Sequence, residues 1–257
     1  MSSDIHPLNY SIHTRLRSYH LYHLLADFNQ RGILFDIGCG LGYWLETLGK
    51  DFKLGVGLEY DMAALRDNCC RGLTRMVRGS ADKIPLQEKS VDLVICSEVL
   101  EHLPDGVDIE TLTEMGRILK PGGRLLITVP ALEGINSRTK MRNLGHDNPN
   151  GGEYHYRMGY SEQSLREIPD QVPTLRIRRH RYSMFLISEL FMDLQKWVFY
   201  RKRGLKEHSD IMNASNSFFF KVYRLLFPFL YLLFIFEDMI MCPLFKGHIH
   251  ILELERT

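Results

Sequence analysis

Apolar residues fall along this chain in two alternating rhythms. Ile12, Leu16, Tyr19, Leu24, Leu25 and Phe28 recur at roughly helical spacing, which predicts an amphipathic lead-in helix over 12–28. Ile33–Ile37 is a short apolar run entering a glycine cluster, and helical spacing resumes over Tyr43–Leu48. Leu54–Leu58, Leu73–Val77, Val91–Cys96 and Arg124–Val129 read as further strands, the last stopped by Pro130. Helices are expected from Asp61 to about Cys70, and from a cap at Asp105 or Asp108 to Leu119, where Pro121-Gly122-Gly123 ends the element. Two last strands are expected near Leu175–Tyr182 and His248–Leu254. Near-continuous apolar strands separated by helices predict an α/β fold, a doubly wound and mostly parallel sheet of seven strands covered on both faces. In such sheets ligands bind outside the carboxyl ends of the strands, where the strand order reverses.

Composition refines this picture at the C-terminal end. The 257 residues are 45% hydrophobic and 25% charged, an ordinary globular balance, and the net charge of +1 argues against a surface that embraces nucleic acid. Residues 171–206, however, carry nine Lys and Arg against Glu189 and Asp193. Just beyond, Leu225–Phe236 is uncharged inside the aromatic stretch Phe218–Phe245. The expected organisation is a domain over 1–184 with a lid loop at 131–160, a hydrophobic and basic helical insertion over 185–245, and a last strand in 246–257 that rejoins the sheet. The uncharged run is shorter than the ~20 residues that a spanning helix needs. It is flanked by Lys221 and Arg224 on one side and Glu237-Asp238 on the other. The insertion is therefore expected to lie on a membrane without crossing it; helices that cap the domain or meet a second copy in a homo-oligomer are the alternative. Five cysteines without a CxxC pair, and an N-terminus without a basic-then-apolar leader, point to a reducing, cytoplasmic setting, with the inner face of a membrane as the extension of that reading.

Candidate chemistry concentrates after the first strand. Asp36-Ile37-Gly38-Cys39-Gly40-Leu41-Gly42 occupies a strand-to-helix turn where glycines let backbone approach a ligand. Glu59 ends the next strand, placed to accept two hydrogen bonds from a ribose diol. A dinucleotide fingerprint would read Gly-x-Gly-x-x-Gly, but the third glycine falls one residue early, and Asp36 inside the turn suits an ammonium or sulfonium better than a pyrophosphate. This stretch resembles the class I S-adenosylmethionine-dependent methyltransferases with an Asp-Ile-Gly-Cys-Gly turn, over roughly residues 30–130. The resemblance implies a Rossmann-like sheet and S-adenosylmethionine as cofactor. It places Asp36, Gly38 and Gly40 at the methionine half and Glu59 at the ribose. Ala81 and Asp82, in Gly79-Ser80-Ala81-Asp82, fall at the adenine, and Ser97 where backbone closes over the methionine amine.

The acceptor is less legible, because a sulfonium is already an excellent methyl donor and the protein has mainly to align a nucleophile and exclude water. The sequence after strand four, Ser97-Glu98-Val99-Leu100-Glu101-His102, departs from the Asn/Asp-Pro-Pro-aromatic element of nucleic-acid amino methyltransferases. Glu98, Glu101 and His102 resemble a stretch of quinone O-methyltransferases that use magnesium, but the spacing alone is permissive, and no metal is the expectation. His155, in Glu153-Tyr154-His155-Tyr156-Arg157, is the first choice for acceptor contact or base, with His146 second. The function expected is methyl transfer to a small or lipid-like acceptor. A non-catalytic cofactor-binding membrane adaptor and an RNA or protein methyltransferase using the basic block are the alternatives.

Overall fold

The computed structural model describes residues 7–134, 156–196 and 218–257. Its seven strands are β1 (Ile33–Ile37), β2 (Leu54–Glu59), β3 (Met76–Arg78), β4 (Val91–Ser97), β5 (Leu119–Pro130), β6 (Leu175–Ser183) and β7 (Ile249–Arg256). They form one sheet in the order β3-β2-β1-β4-β5-β7-β6, parallel except for β7, which runs antiparallel between β5 and β6. The order reverses between β1 and β4, so the loops after those strands open into the ligand crevice. Helices α1 (Ile12–Leu24), α2 (Tyr43–Thr47), α3 (Met62–Cys70), α4 (Val107–Ile118), α5 (Glu162–Arg166), α6 (Ile168–Gln171), α7 (Leu186–Lys196) and α8 (Phe218–Met241) complete the fold.

Strand alternation divides the core between the two faces. Phe35, Ile37, Val94, Cys96, Leu125 and Ile127 pack with Leu112, Met115 and Ile118 of α4. Leu34, Leu93, Ile95, Leu126 and Ile251 pack on the opposite face with Leu16 and Leu21 of α1 and Phe227 and Phe234 of α8. Both faces are buried, which is why these strands read as continuous apolar runs.

Three local expectations are corrected. The third strand begins at Met76 rather than Leu73, because the Leu73 N–H is already spent on the Asn68 carbonyl at the end of α3 (2.9 Å). Neither Asp105 nor Asp108 caps α4, whose N-cap position is Gly106. Both aspartates face Arg157 instead, at 2.8 and 2.5 Å. Finally, Pro121-Gly122-Gly123 lies inside β5 as an irregularity. Val91 pairs with Leu119 and Leu93 already with Arg124, so the intervening residues arch out of the ladder.

Between β6 and β7 the chain builds α7 and α8. Glu237 and Asp238, the acids that follow the apolar run in the sequence, are both buried. Glu237 accepts the Ile187 and Ser188 N–H groups, the latter at 2.9 Å, and so caps α7. Asp238 accepts the Ser183 hydroxyl and the Met184 N–H (3.1 Å) and pairs with His20 Nε2 of α1 (2.8 Å). Among the described residues no helix is long and apolar enough to cross a membrane. Three of the nine bases of the basic block are likewise consumed internally. Arg176 and Arg178 pair with Glu255, and Arg179 pairs with buried Glu253 and with Asp27. Hydrogen bonds from Arg124 and Arg179 hold the Asp27 carboxyl below the usual range.

β7 also carries His250, fully buried, which shares a hydrogen bond with His180 (2.8 Å) and approaches the Tyr160 carbonyl (3.0 Å) and Glu133 (3.3 Å). Burial, and then the neighbouring His180, push its pKa from 6.5 down to about 4. A depressed histidine means that the unfolded chain binds the proton first. Its contribution to stability is therefore complete above pH 6.5 and is lost as the pH falls toward 4. Scanning calorimetry should show the melting temperature of the wild type falling over pH 6.5–4.5, and a flatter profile for His250→Gln; parallel profiles would contradict the assignment.

Candidate active site

The turn after β1 is lashed to the end of β2. The Gly38 and Cys39 N–H groups both donate to the Leu58 carbonyl (2.8 and 3.1 Å). Gly38 (φ 64) leaves no room for a side chain, since a Cβ there would meet Val99 Cγ2 at 2.5 Å. Gly40 (φ 48) is the opposite case. Nothing lies nearer to its would-be Cβ than the Gly38 carbonyl at 4.0 Å, so the turn presents bare backbone to the crevice. Glu59 locks this arrangement, accepting the Gly40 N–H on Oε2 and the Asp61 N–H on Oε1, both at 2.8 Å. The structure thus brings Gly38, Gly40 and Glu59 together, and Glu59 keeps acceptor capacity on each oxygen for a diol.

Asp36 lies one strand position beyond buried Phe35, pointing to the α1 face of the sheet, and is 1% exposed. Neither carboxylate oxygen has a hydrogen-bond partner. Desolvation, and then the nearby Glu59 charge, raise its pKa well above the ordinary carboxylate value. A buried acid without a partner is costly, and a cation or donor entering the crevice would relieve that cost. The residues therefore fit a cationic ligand with a diol, which is the chemistry of S-adenosylmethionine. Ala81 and Asp82 follow β3, and the turn they belong to is tied to Glu59 through Gly79 N–H donating to the Glu59 carbonyl (3.1 Å). Ala81 is buried among Leu58 and Ile84, while Asp82 is half-buried and bonded to the Ser80 hydroxyl.

Ser97, at the end of β4, opens the other half of the crevice. Its hydroxyl shares a hydrogen bond with Thr128 of β5 (2.8 Å) and accepts one from Arg17 of α1 (2.9 Å). Next to it Glu98 is held in the left-handed region (φ 58), a conformation costing about 1–3 kcal/mol outside glycine. The Thr128 hydroxyl donates to Glu98 (3.1 Å), with Arg17 at 3.7 Å and His13 at 4.0 Å. Arg17, His13 and Thr128 are functional candidates that sequence reasoning missed. The four-residue spacing of His13 and Arg17 puts them on one face of α1, but nothing local says that this face meets β4. Glu101 is buried, and its carbonyl accepts the Tyr156 and Arg157 N–H groups (3.0 and 3.3 Å), which pins the end of the 131–160 connection beside the crevice. Among the described residues no group of three His, Cys, Asp or Glu is placed to hold a metal. His155 and His146 lie outside the described residues.

Asp36→Asn separates the roles of this carboxylate. The ligand-free variant should melt at or above the wild-type temperature, because the buried carboxyl must either take up a proton or stay charged without a partner, and the amide avoids both costs. Its affinity for S-adenosylmethionine should fall roughly ten- to hundredfold, the scale of ~1.5–3 kcal/mol for a hydrogen bond to a charged group. A variant that melts lower and binds as well as the wild type would overturn the reading.

Residues 35–127 match the family described as "Methyltransferase domain". A Mycolicibacterium smegmatis protein described as "Probable S-adenosylmethionine-dependent methyltransferase" is 33% identical over 98 residues, covering 38% of this chain and 37% of that one. The ubiquinone biosynthesis O-methyltransferase of Methylococcus capsulatus is 35% identical over 99 residues, covering 36% and 41%. Other relatives are by description a "Fatty-acid O-methyltransferase" of M. smegmatis and a "Probable tRNA methyltransferase 9B" of Mus musculus. The aligned stretch spans about half or less of the length of each of these relatives. A solved S-adenosylmethionine-dependent methyltransferase from Archaeoglobus fulgidus shares the fold at a TM-score of 0.56 and 19% identity, over 95% of this chain and 92% of that one. Residues 35–127 thus form a methyltransferase domain, carried on a sheet with the fold of the class I S-adenosylmethionine-dependent methyltransferases.

Proposed function

We propose that the protein transfers a methyl group from S-adenosylmethionine to a small or lipid-like acceptor held beyond the ends of β4 and β5. The observation that carries this reading is Asp36, a buried carboxylate without a partner beside a bare glycine turn at the point of strand reversal. The cofactor supplies a methyl group on positively charged sulfur, an electrophile needing alignment more than activation. This chain's residues bind and orient. Asp36, Gly38 and Gly40 take the methionine half, Glu59 the ribose hydroxyls, Ala81 and Asp82 the adenine, and Ser97 the methionine amine. Arg17 ties Ser97 to α1 and, with His13 and Glu98, forms a polar wall facing the acceptor side. His155 is the proposed acceptor contact or base.

The names of the quinone and fatty-acid relatives support a lipid-like acceptor. The tRNA relative supports the second reading, an RNA acceptor. Against it, Arg176, Arg178 and Arg179 of the basic block are already engaged by Glu253, Glu255 and Asp27. We further propose a cytoplasmic protein peripherally associated with a membrane through the insertion 185–245, with a homo-oligomer through the same helices as the competing arrangement.

Methyl-label transfer into lipid, small-molecule, RNA and protein fractions identifies the acceptor class; label confined to RNA would refute the lipid reading. Calorimetry should show S-adenosylmethionine and its demethylated product binding, with Glu59→Ala weakening both by about 1.5–3 kcal/mol. His155→Ala should leave those affinities unchanged while lowering turnover roughly 10²–10⁴-fold, the usual contribution of a general base. Turnover within a few-fold of the parent would remove His155 from the chemistry.

A further inference from the structure

A helix that is apolar on every side is normally buried on every side. α8 is not. One stripe of it, Phe227 and Phe234 with Tyr223 and Tyr231 beside them, sinks into the core against α1. On its other side Leu225, Phe229, Leu232, Phe236 and Met239 are each 60–74% exposed, and Leu190 and Leu194 extend the same character along α7. Contiguous apolar surface of this extent marks an interaction site.

The charges of α8 are sorted with respect to that surface. Its two acids, Glu237 and Asp238, are turned inward and consumed by α7, His20 and the Ser183–Met184 backbone. Its two bases, Lys221 and Arg224, are exposed, the Arg224 guanidinium lying over the Tyr10 ring at 5.0 Å and Lys221 on the outward side. α7 carries the exposed acid Asp193 and the half-buried Glu189. A sequence that looks like an apolar run closed by basic and acidic ends thus presents an outward face with cations and no anions along α8. A single helix of 24 residues is, moreover, a convex ridge about 36 Å long. A protein partner would need a matching groove for it, whereas the headgroup–acyl boundary of a bilayer accommodates any ridge of this kind.

We infer that the outward face of α7 and α8 is a docking surface for an anionic lipid bilayer, with α8 lying in the interface plane and Lys221 reaching the headgroups. The surface is coupled to the crevice by one helix. α1 holds α8 through Tyr231, which donates to the Arg15 carbonyl (3.3 Å), and through the His20–Asp238 pair, while Tyr223 donates to the carbonyl of Tyr10 in the turn just before α1 (2.7 Å). From its other side α1 sends Arg17 to Ser97. That an amphiphilic acceptor reaches the crevice from the same bilayer rests on the methyltransferase reading; the docking itself does not.

Vesicle co-sedimentation of the full chain tests this, using phosphatidylcholine vesicles with and without phosphatidylglycerol at low salt. Wild type should pellet with the anionic vesicles and be released by added salt. Leu225→Glu with Phe229→Glu should cut the bound fraction at least tenfold, and Lys221→Gln about fivefold, the ratio that ~1 kcal/mol per basic residue near the surface implies. Melting temperature and calorimetric binding of the demethylated cofactor should stay at wild-type values, because these side chains point away from the core. Wild-type protein remaining in the supernatant, or pelleting equally well after the double substitution, overturns the proposal. So does a dimer by light scattering that the double substitution dissociates, which would make the face a contact between two copies. Protein that binds vesicles but no cofactor would sink the methyltransferase reading alone, and protein that binds cofactor but no vesicles would sink the docking alone.

Discussion

Burying a carboxylate without a partner is the constraint around which this crevice is arranged. Asp36 occupies a position that strand alternation would give to an apolar residue, with Leu34 two residues before it filling the same face. Leaving it there raises the energy of the ligand-free protein, a cost that the apolar packing of the rest of the sheet has to offset. The bare turn at Gly40, the second acid at Glu59 and the strand reversal between β1 and β4 then make one place where positive charge is welcome. Each of these serves the fold as well. Glu59 closes the turn it is also expected to use for the ribose, so a ligand there would meet groups that are already ordered.

The other half of the molecule is organised by a second pair of acids with the opposite solution. Glu237 and Asp238 are buried and fully engaged, one capping α7 and the other joining α1, β6 and α8. Their engagement fixes how α8 is rotated, and that rotation decides which of its apolar residues face outward. A helix roll of one residue, about 100°, would break these contacts and turn a different set of apolar residues outward. Electrostatics inside the fold therefore dictates the character of the surface outside it.

Much of the sheet was legible from the chain because buried parallel strands are contiguous in sequence, and so was the glycine turn with its acid one strand later. What lay beyond reach depends on contacts distant in sequence. Arg17 and Ser97 are eighty residues apart, and only the packing of α1 over β4 brings them together. Asp105 and Asp108 have the right chemistry for a helix cap, but Arg157 outbids the backbone for both. Glu237 and Asp238 look like the polar end of an apolar segment, since sequence alone does not say which side of a helix a charge will take. The basic block fails in the same way: on the outer strand β6 its arginines lie across from acids of β7, a pairing that register creates and composition cannot display.

The central claim is that Asp36 meets the positive charge of the ligand. A carboxyl whose pKa is raised by burial should lose its proton when a cation binds beside it. Calorimetry of S-adenosylmethionine binding near pH 6, repeated in buffers of different ionisation enthalpy, measures that proton directly. The account predicts proton release on binding to the wild type and none for Asp36→Asn. Binding of undiminished affinity without proton release, or release that persists in the variant, would contradict it.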